Sequence, residues 1–191
     1  VAYLEGGSTY FVHDHVSARR KFTFLHVDYE YAGYNRFLDR NCYVDFDRIF
    51  TVSGEVKTSL IHVYPECADR TVIFHNLIDR KEILRKADLP GGFEDAYDGK
   101  RILTVGRLTA QKSYETAIDA MKLLKDQGIK VRWYVLGEGE LRQKLQQKIE
   151  SLDLTEDFVL LGARENPYPY YRQCDLYVHA TRFEGKSIAV Q

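Results

Sequence analysis

The sequence predicts an α/β protein made of two domains, each with a parallel sheet covered by helices. Along residues 100–180, short apolar runs rich in β-branched residues alternate strictly with amphipathic stretches, as strands and helices do around a parallel sheet. Residues 1–78 show the same alternation less regularly, which predicts a second domain of the same class. Ligands of such sheets bind at the carboxyl ends of the strands, so the loops that follow the strands are the expected site of chemistry.

Four apolar runs predict the strands of the second domain, at residues 101–105, 131–136, 158–161 and 176–180. Between them, apolar residues at helical spacing predict helices over 113–127 and 141–152. Gly128 is a natural end for the first of these helices. A tyrosine-rich turn or short helix is expected at 168–174.

Four shorter runs predict strands in the first domain, at residues 1–4, 22–25, 48–52 and 71–74. A helix is predicted over 55–63, and Ser53 has the side chain expected of its cap. Residues 79–99 combine charges with a Pro-Gly-Gly sequence, which favours a linker. The predicted domains are therefore 1–78 and 100–191.

The charge balance argues against a protein that binds nucleic acid. The 191 residues include 27 Lys and Arg against 28 Asp and Glu, which gives a formal net charge of −1. A surface that binds a polyanion over the whole molecule needs an excess of cations. Local basic clusters remain compatible with this balance.

Hydropathy and cysteine usage favour a soluble cytoplasmic protein. No apolar run approaches the roughly 20 residues that cross a bilayer, and no leader is recognisable. Cys42, Cys67 and Cys174 are widely spaced and form no C-x-x-C pair, which favours reduced thiols over disulfides or zinc. The sole methionine is Met121, so a chain that begins at Val1 is expected to be a fragment.

The loop after the first predicted strand of the second domain carries two cations. Gly106 makes a tight turn, and Arg107 and Lys112 flank the predicted start of a helix. The helix amino terminus attracts phosphate, and both cations can add charged hydrogen bonds. The pattern predicts a diphosphate clamp, with two solvated surface cations as the alternative. A nicotinamide dinucleotide is poorly supported because Gly137-Glu-Gly139 lacks the third glycine of G-x-G-x-x-G.

A second loop with binding potential follows the last predicted strand. Glu184 can accept hydrogen bonds from sugar hydroxyls, while the backbone amides of Gly185 and Lys186 can face a phosphate. The Gly-Lys-Ser sequence resembles the end of a P-loop, but the earlier glycine of that motif is missing. A Glu-Gly pair that only forms a turn is the alternative.

Taken together, the motifs of residues 71–191 resemble the carboxyl-terminal domain of GT-B glycosyltransferases of family 4. The Val-Gly-Arg-Leu strand end and the Gln-Lys helix start of that family match residues 105–112. Its Gly-x-Gly turn, Asp-Leu strand and Glu-Gly pair match residues 137–139, 175–176 and 184–185. The family signature has a second glutamate after seven further residues, and the chain stops at Gln191, where that spacer ends. The resemblance implies a GT-B fold with two Rossmann-like domains, both incomplete in this chain.

The resemblance also implies roles for the two loops. Arg107 and Lys112 would bind the diphosphate of the donor and stabilise the leaving group, and Glu184 would orient the transferred sugar. The implied donor site comprises Gly106, Arg107, Lys112, Gly162, Arg164, Glu184, Gly185, Lys186 and Ser187. Within this site, the loop at 162–164 would lie against the nucleobase.

The resemblance of residues 1–78 to the acceptor-side, amino-terminal domain is partial. Glu5, Gly6 and His26 stand at the ends of strands that face the cleft in the family, so they are candidates for acceptor or donor-sugar contacts. A catalytic role for His26 competes with an ordinary structural role. Two departures from the family pattern are Ser113, where many members have glycine, and Leu77, which replaces the glycine of an Asn-Gly-Ile-Asp turn. Neither removes a charge that the chemistry needs.

Two patterns could suggest a metal site. Asp45 and Asp47 have the D-x-D spacing used by GT-A sugar transferases, and His13 and His15 flank an aspartate. An exposed loop is the favoured interpretation for the histidines, and the family resemblance predicts no metal. A sugar-binding surface is conceivable for Tyr168, Tyr170 and Tyr171, but packing on the sheet is favoured.

From this resemblance we expect a hexosyltransferase-type enzyme that needs no cofactor or metal. It would move a sugar from a nucleotide-diphosphate sugar, such as a UDP- or GDP-sugar, to a glycan or lipid-linked acceptor with retention of anomeric configuration. The implied process is cell-surface polysaccharide biosynthesis, in the cytoplasm or peripheral to the inner face of the plasma membrane. A GT-B sugar phosphorylase, a nucleotide-sugar epimerase and a non-catalytic nucleotide-sugar-binding module stay open as alternatives. The 191-residue chain alone is expected to be inactive.

Overall fold

The computed structural model describes residues 1–190, which form two compact units. The first unit comprises residues 1–78 and 183–189, and the second comprises residues 79–182 and 190. Both units are α/β, and all strand pairs in their sheets are parallel, which confirms the predicted fold class. No helix in this described part of the chain is both long enough and apolar enough to cross a membrane.

The first unit is built on a three-stranded parallel sheet. Its strands lie in chain order and are β1 (Phe22–Leu25), β2 (Arg48–Thr51) and β3 (Thr71–Ile73). They confirm the three later strands predicted for this unit to within one residue. The segment before them differs, because only Ala2 pairs with β1 and Gly6 then turns the chain at a φ of 67° into α1 (Gly7–His15). This helix escapes prediction because only Thr9 and Val12 of its residues are buried.

A second helix of the first unit, α2 (Gly54–Val63), packs against β2 and β3. The hydroxyl of Ser53 accepts a hydrogen bond from the amide of Val56 at 3.2 Å, which confirms Ser53 as the cap. Val56 and Leu60 are completely buried and contribute to the core beneath the sheet.

Residues 79–99, predicted as a linker, contain a helix and cluster with the second unit. Asp79 caps α3 (Arg80–Ala87) through a hydrogen bond with the amide of Glu82. The side-chain amide of Asn166 donates to the carbonyl of Lys86 at 2.8 Å, which ties the helix to the rest of the unit. The sequence favoured a linker because charged residues and Pro-Gly-Gly dominate this stretch, and none of the residues of α3 is fully buried.

The second unit is built on a four-stranded parallel sheet. Its strands are β4 (Lys100–Val105), β5 (Val131–Leu136), β6 (Phe158–Gly162) and β7 (Leu176–Tyr177), which lie in the order β6, β5, β4, β7. Residues of α4 (Tyr114–Asp126) and α5 (Arg142–Ser151) pack in one core with Trp133 and Phe158. A second core joins α6 (Tyr168–Gln173) to Phe93 and to the strands.

The predicted helices and strands of this unit are confirmed to within one residue, except for β7. That strand has two residues instead of the predicted five. The amide of Val178 still donates to the carbonyl of Leu103 at 2.9 Å, but the carbonyl of Val178 accepts from the Thr104 hydroxyl. The Thr104 hydroxyl of β4 thus occupies the carbonyl of Val178 in place of a backbone amide, and the regular hydrogen bonding between β4 and β7 ends there.

A buried carboxylate organises the core of the first unit. Asp39 is 1% exposed and accepts hydrogen bonds from the hydroxyls of Tyr10 and Tyr29. The ring of Tyr29 lies edge-on to those of Tyr43 and Tyr64, with centroid distances of 5.8 Å in both cases. Burial and the hydrogen bond to Asp39 raise the pKa of Tyr29, so its hydroxyl stays protonated and keeps donating. Burying a polar group without partners is unfavourable, so this core depends on both phenols.

We expect Asp39→Ala to destabilise the protein by about 3 kcal/mol, because the two phenol hydroxyls lose their acceptor. Urea unfolding followed by circular dichroism measures the change. Asp69→Ala removes an exposed carboxylate from the same unit and should change the free energy of unfolding by about 0.5 kcal/mol or less. Equal effects of the two substitutions would contradict the organising role of Asp39.

Candidate functional site

The loop that carries the predicted phosphate-binding cations follows the central strand β4. Its backbone is fixed on the loop that follows β5. The amide of Gly106 donates to the carbonyl of Leu136 at 2.9 Å, and the amide of Leu108 donates to that of Glu138 at 2.9 Å. Arg107 is held between these two bonds, so its Cα is placed by backbone contacts.

Two glycines of the supporting loop are required by this close packing. A Cβ at Gly139 would lie 2.5 Å from the carbonyl oxygen of Leu108, and a Cβ at Gly137 would overlap that of Gly106. Gly137 also has a φ of 153°, which side chains rarely adopt. The Gly-x-Gly sequence therefore supports the loop of Arg107 by backbone packing.

The start of α4 differs from the prediction in one respect. Arg107 and Lys112 both precede the helix, since a 3-10 turn spans Ala110–Lys112 and α4 begins at Tyr114. Ser113 joins turn to helix in the left-handed conformation, with φ 51° and ψ 40°. Glycine adopts this conformation without strain, which accounts physically for the glycine common at this position in the resembling family.

The two cations of this loop differ in their surroundings. Arg107 is exposed, and its guanidinium makes no ion pair or hydrogen bond with any residue that the structure describes. Lys112 is half-buried, and its Nζ lies 3.2 Å from Nε2 of His179. The imidazole of His179 in turn lies 3.1 Å from the hydroxyl of Tyr177 and stacks on its ring. An exposed arginine and an oriented lysine on one rigid loop suit the binding of a phosphate group.

His179 and Tyr177 were not among the residues predicted for the site. Both lie within the apolar run at 176–180, which predicts only a strand, and nothing in their spacing links them to Lys112. The backbone amide of Arg182 and the hydroxyl of Thr181 both bond to the carbonyl of Gln111, at 2.9 and 3.1 Å. The segment that follows β7 is thus attached to the turn that carries Lys112.

The predicted nucleobase loop begins at the last residue of β6. Gly162 has a φ of 79°, and a Cβ there would lie 2.9 Å from Oε1 of Glu138. Glu138 pairs with Arg142 at 3.0 Å. Arg164 is exposed, and its Nε donates to the Tyr170 hydroxyl at 3.2 Å beside a cavity of about 380 Å³. The contact with Nε orients the guanidinium toward α6.

The acceptor-side candidates of the first unit lie together. The backbone amide of His26 donates to Oε2 of Glu5 at 2.9 Å, and its Nδ1 lies 3.5 Å from the same oxygen. Burial acts to raise the pKa of Glu5, but hydrogen bonds and charge from His26 outweigh it and hold the pKa below its usual value. Gly6 turns the chain beside them and lies against Tyr34, whose hydroxyl would be 3.0 Å from a Cβ at this position. The carboxylate of Glu5 is therefore kept ionised at the carboxyl end of β1.

The Glu-Gly loop also packs within the first unit. Gly185 has no room for a side chain, because a Cβ would overlap the carbonyl of His26. The backbone carbonyl of Lys186 accepts a hydrogen bond from the side-chain amide of Asn76 at 3.4 Å. The Nζ of Lys186 lies 3.1 Å from Nδ1 of His75. Glu184 and Ser187 are half-buried in the same stretch. This unit thus brings Gly185 against His26, while the other unit brings together the loops of Gly106 and Gly137.

The two patterns considered as metal sites form ion pairs with each other. His13, in the last turn of α1, lies 2.8 Å from Asp45 through Nε2 and 2.6 Å from Asp14 through Nδ1. Asp47 instead accepts from the amide of Lys21 at 2.7 Å. Within residues 1–190 no group of three or more His, Cys, Asp or Glu side chains is placed to hold a metal ion.

The remaining predictions concern the tyrosines of α6 and the cysteines. Tyr170 is buried, and the ring of Tyr171 stacks on Tyr177 at 5.1 Å, which confirms that these tyrosines pack on the sheet. Cys42, Cys67 and Cys174 are all free thiols, as predicted.

Comparison with known proteins identifies the family to which the chain belongs. Residues 93–191 match the family model described as Glycosyl transferases group 1. The N-acetylgalactosamine-N,N'-diacetylbacillosaminyl-diphospho-undecaprenol 4-alpha-N-acetylgalactosaminyltransferase of Campylobacter jejuni is 34% identical over 154 residues, which cover 80% of this chain and 40% of that protein. The amylovoran biosynthesis glycosyltransferase AmsD of Erwinia amylovora is 33% identical over 95 residues, which cover 49% of this chain and 26% of that protein. The chain thus spans less than half the length of these relatives.

Solved structures with similar folds include one described as trehalose-6-phosphate from E. coli bound with UDP-2-fluoro glucose. It superposes with a TM-score of 0.75 at 14% identity and covers 97% of this chain and 52% of that chain. At this identity the likeness shows the fold alone, which is that of GT-B glycosyltransferases.

We expect Gly139→Ala to destabilise the second unit by about 2 kcal/mol, because the new Cβ displaces the backbone of Leu108. Thermal unfolding measures the loss, and NMR shifts of the amides at 106–108 report the displacement. Gly7→Ala is the matched control, since a Cβ there meets nothing within 4 Å. Unchanged amide shifts in Gly139→Ala would contradict the supporting role of this glycine.

The His13 ion pairs predict a pH-dependent contribution to stability. Burial acts to lower the pKa of His13, but hydrogen bonds to Asp45 and Asp14 outweigh it and raise the pKa above its usual 6.5. A raised pKa in the folded state means that the stabilisation is fully present below pH 6.5 and is lost as the pH rises through the folded-state value.

His13→Gln should therefore lower the free energy of unfolding by about 0.5 kcal/mol in mildly acidic solution, with the difference shrinking toward zero in alkaline solution. Urea titrations at a series of pH values measure it. His15→Gln, on the same helix and exposed, serves as the control and should show no such trend. A difference that grows with rising pH would refute the ion pair.

Proposed function

The chain belongs to the glycosyl transferases group 1 family, and on that basis we propose that the protein transfers a sugar from a nucleotide-diphosphate sugar with retention of anomeric configuration. The acceptor in this proposal is a glycan or a lipid-linked saccharide, and the process is cell-surface polysaccharide biosynthesis. In this proposal the loop at 106–112 of the second unit binds the donor diphosphate, and Glu5 and Gly6 of the first unit supply acceptor contacts.

One observation carries the proposal for the donor. The loop after β4 presents Arg107 and Lys112 on a backbone that is fixed by the glycines of the neighbouring loop. Arg107 has no partner among residues 1–190 and can therefore turn its planar guanidinium to a phosphate without first breaking an ion pair. Two cations on a rigid base can bind the two phosphates of a diphosphate.

The proposed chemistry follows from this charge. Departure of a nucleoside diphosphate concentrates negative charge on the phosphate oxygens in the transition state. Arg107 and Lys112 would stabilise that charge directly, which is the role a metal ion has in other phosphate-transferring sites. We therefore propose a reaction that needs no metal or other cofactor.

We propose that the Glu-Gly loop and the end of β1 contact sugars. The Glu184 carboxylate would accept hydrogen bonds from hydroxyls of the transferred sugar, with the amides of Gly185 and Lys186 nearby. Glu5 is held ionised beside His26, so it can accept hydrogen bonds from sugar hydroxyls. Its position at the carboxyl end of a strand supports an acceptor contact.

The relatives support a choice of donor and acceptor. The C. jejuni relative is named as acting on a saccharide linked to diphospho-undecaprenol, and the structurally similar E. coli protein is described with UDP-2-fluoro glucose. We accordingly propose a UDP- or GDP-sugar donor and an undecaprenol-linked or related glycan acceptor. Such an acceptor lies in a membrane, so we propose a cytoplasmic protein that associates with the inner face of the plasma membrane.

We expect Arg107→Ala and Lys112→Ala each to weaken the binding of uridine diphosphate about tenfold, because each removes a charged hydrogen bond. Calorimetry with a panel of nucleoside diphosphates measures the dissociation constants. Transfer assays with the full-length enzyme should show turnover lower by about 100- to 1000-fold in each variant. Lys122→Ala is the matched control, since Lys122 pairs with Asp126 on the outer side of α4.

Two results would contradict the proposal. Binding of NAD in preference to every nucleoside diphosphate would exclude the donor class, and normal binding by both variants would exclude the clamp. Products formed from a labelled nucleotide sugar separate the remaining alternatives. A transferase releases nucleoside diphosphate, an epimerase returns a rearranged nucleotide sugar, and a binding module forms no product.

A further inference from the structure

We propose that His179 is a positioning residue for Lys112, and that it acts as a neutral imidazole with its proton on Nδ1. This inference rests on the proposed function, because it assigns Lys112 to the donor phosphates. Nothing in the family assignment concerns His179. The argument needs only contacts within the second unit.

The hydrogen-bond chain determines the tautomer. An ammonium group has no lone pair, so across the 3.2 Å contact Lys112 Nζ donates and Nε2 of His179 accepts. An imidazole that accepts at Nε2 carries its proton on Nδ1, which then donates to the Tyr177 hydroxyl 3.1 Å away. The Tyr177 hydroxyl donates to the carbonyl of Val105 at 3.4 Å. Each donor in this chain meets an acceptor.

The chain is anchored to the strands that position the phosphate-binding loop. Tyr177 belongs to β7, which pairs with β4, and Val105 is the last residue of β4. The ring of Tyr177 is stacked between those of Tyr171 and His179, with centroid distances of 5.1 and 6.0 Å. The hydroxyl of Thr104 fixes the backbone just before His179 through its 2.6 Å bond to Val178. The imidazole is therefore held in place independently of Lys112.

This arrangement directs the lysine side chain. A Cβ at Gly106 would lie 3.5 Å from Cε of Lys112, so the lysine stem folds back over the glycine turn. The lysine stem is flexible, and an acceptor fixed at its end selects one of its conformations. Because a neutral imidazole carries no charge, it orients the ammonium group without neutralising its positive charge.

The first test is spectroscopic and does not depend on function. Long-range ¹⁵N NMR of the 191-residue chain in mildly alkaline solution should show His179 protonated at Nδ1 and unprotonated at Nε2. In Lys112→Ala the two nitrogen shifts should move toward a mixture of tautomers. A proton on Nε2 in the unsubstituted chain would overturn the proposal.

The second test measures binding of uridine diphosphate by calorimetry. His179→Leu removes the acceptor at similar volume and should weaken binding about fivefold to tenfold. His179→Gln should restore binding to within about threefold, because its carbonyl oxygen can accept from Lys112 and its amide can donate to Tyr177. The double variant His179→Leu with Lys112→Ala should bind no more weakly than Lys112→Ala. His62→Leu, an exposed histidine of the first unit, is the control and should bind normally.

The results separate this inference from the proposed function. Normal binding by Lys112→Ala would overturn the proposed clamp. Weakened binding by Lys112→Ala together with normal binding by His179→Leu would overturn only the positioning role. Equal weakening by His179→Leu and His179→Gln, with both variants folded as judged by thermal unfolding, would also overturn it.

Discussion

The site of the second unit depends on direct contact between the backbones of two loops. Glycines, which have no side chain, make this contact possible. Gly137 and Gly139 let the loop after β5 lie directly on residues 106–108. The hydrogen bonds between these loops need that approach, since a Cβ on either glycine would separate the donors from their acceptors. The position of Arg107 is thus decided by residues that have no side chain.

The first unit uses the same device at the Glu-Gly loop. Gly185 rests on the carbonyl of His26, so the chain around Glu184 is placed by a backbone contact. The nearby contacts of Lys186 with His75 and Asn76 add side-chain restraints. A glycine in such a loop is a geometric requirement, which explains why a short Glu-Gly sequence can be specific even though its two residues are common.

The regular elements could be predicted from the sequence because their information is local. The spacing of Ala117, Ile118 and Met121 indicates α4, and the run at 131–136 indicates β5, since burial of one face or of a whole strand imposes these patterns. Helix α1 carries no such pattern, and α3 buries no residue completely, so neither could be identified in this way.

The contacts that shape the site are not local and could not be predicted in this way. Lys112 and His179 are 67 residues apart, and His13 and Asp45 are 32 apart. The sequence identified Arg107 and Lys112 because a glycine turn between strand and helix has a known physical use. It gave no sign that His179 orients one of them, or that two suspected metal patterns satisfy each other as an ion pair.

The unequal freedom of the two cations has a consequence for the order of events at the site. Lys112 is already held before any ligand arrives, so its rotational entropy is largely lost during folding, whereas Arg107 loses its own entropy only upon contact. In the proposed clamp, binding of a phosphate would therefore order only the guanidinium, because the ammonium group is already held. During release, the Arg107 side chain would regain its rotational entropy when its contact breaks. The diphosphate would then be held by Lys112 alone and would dissociate more easily. In the proposed clamp, one rigid and one mobile cation would combine a small entropic cost of binding with rapid release.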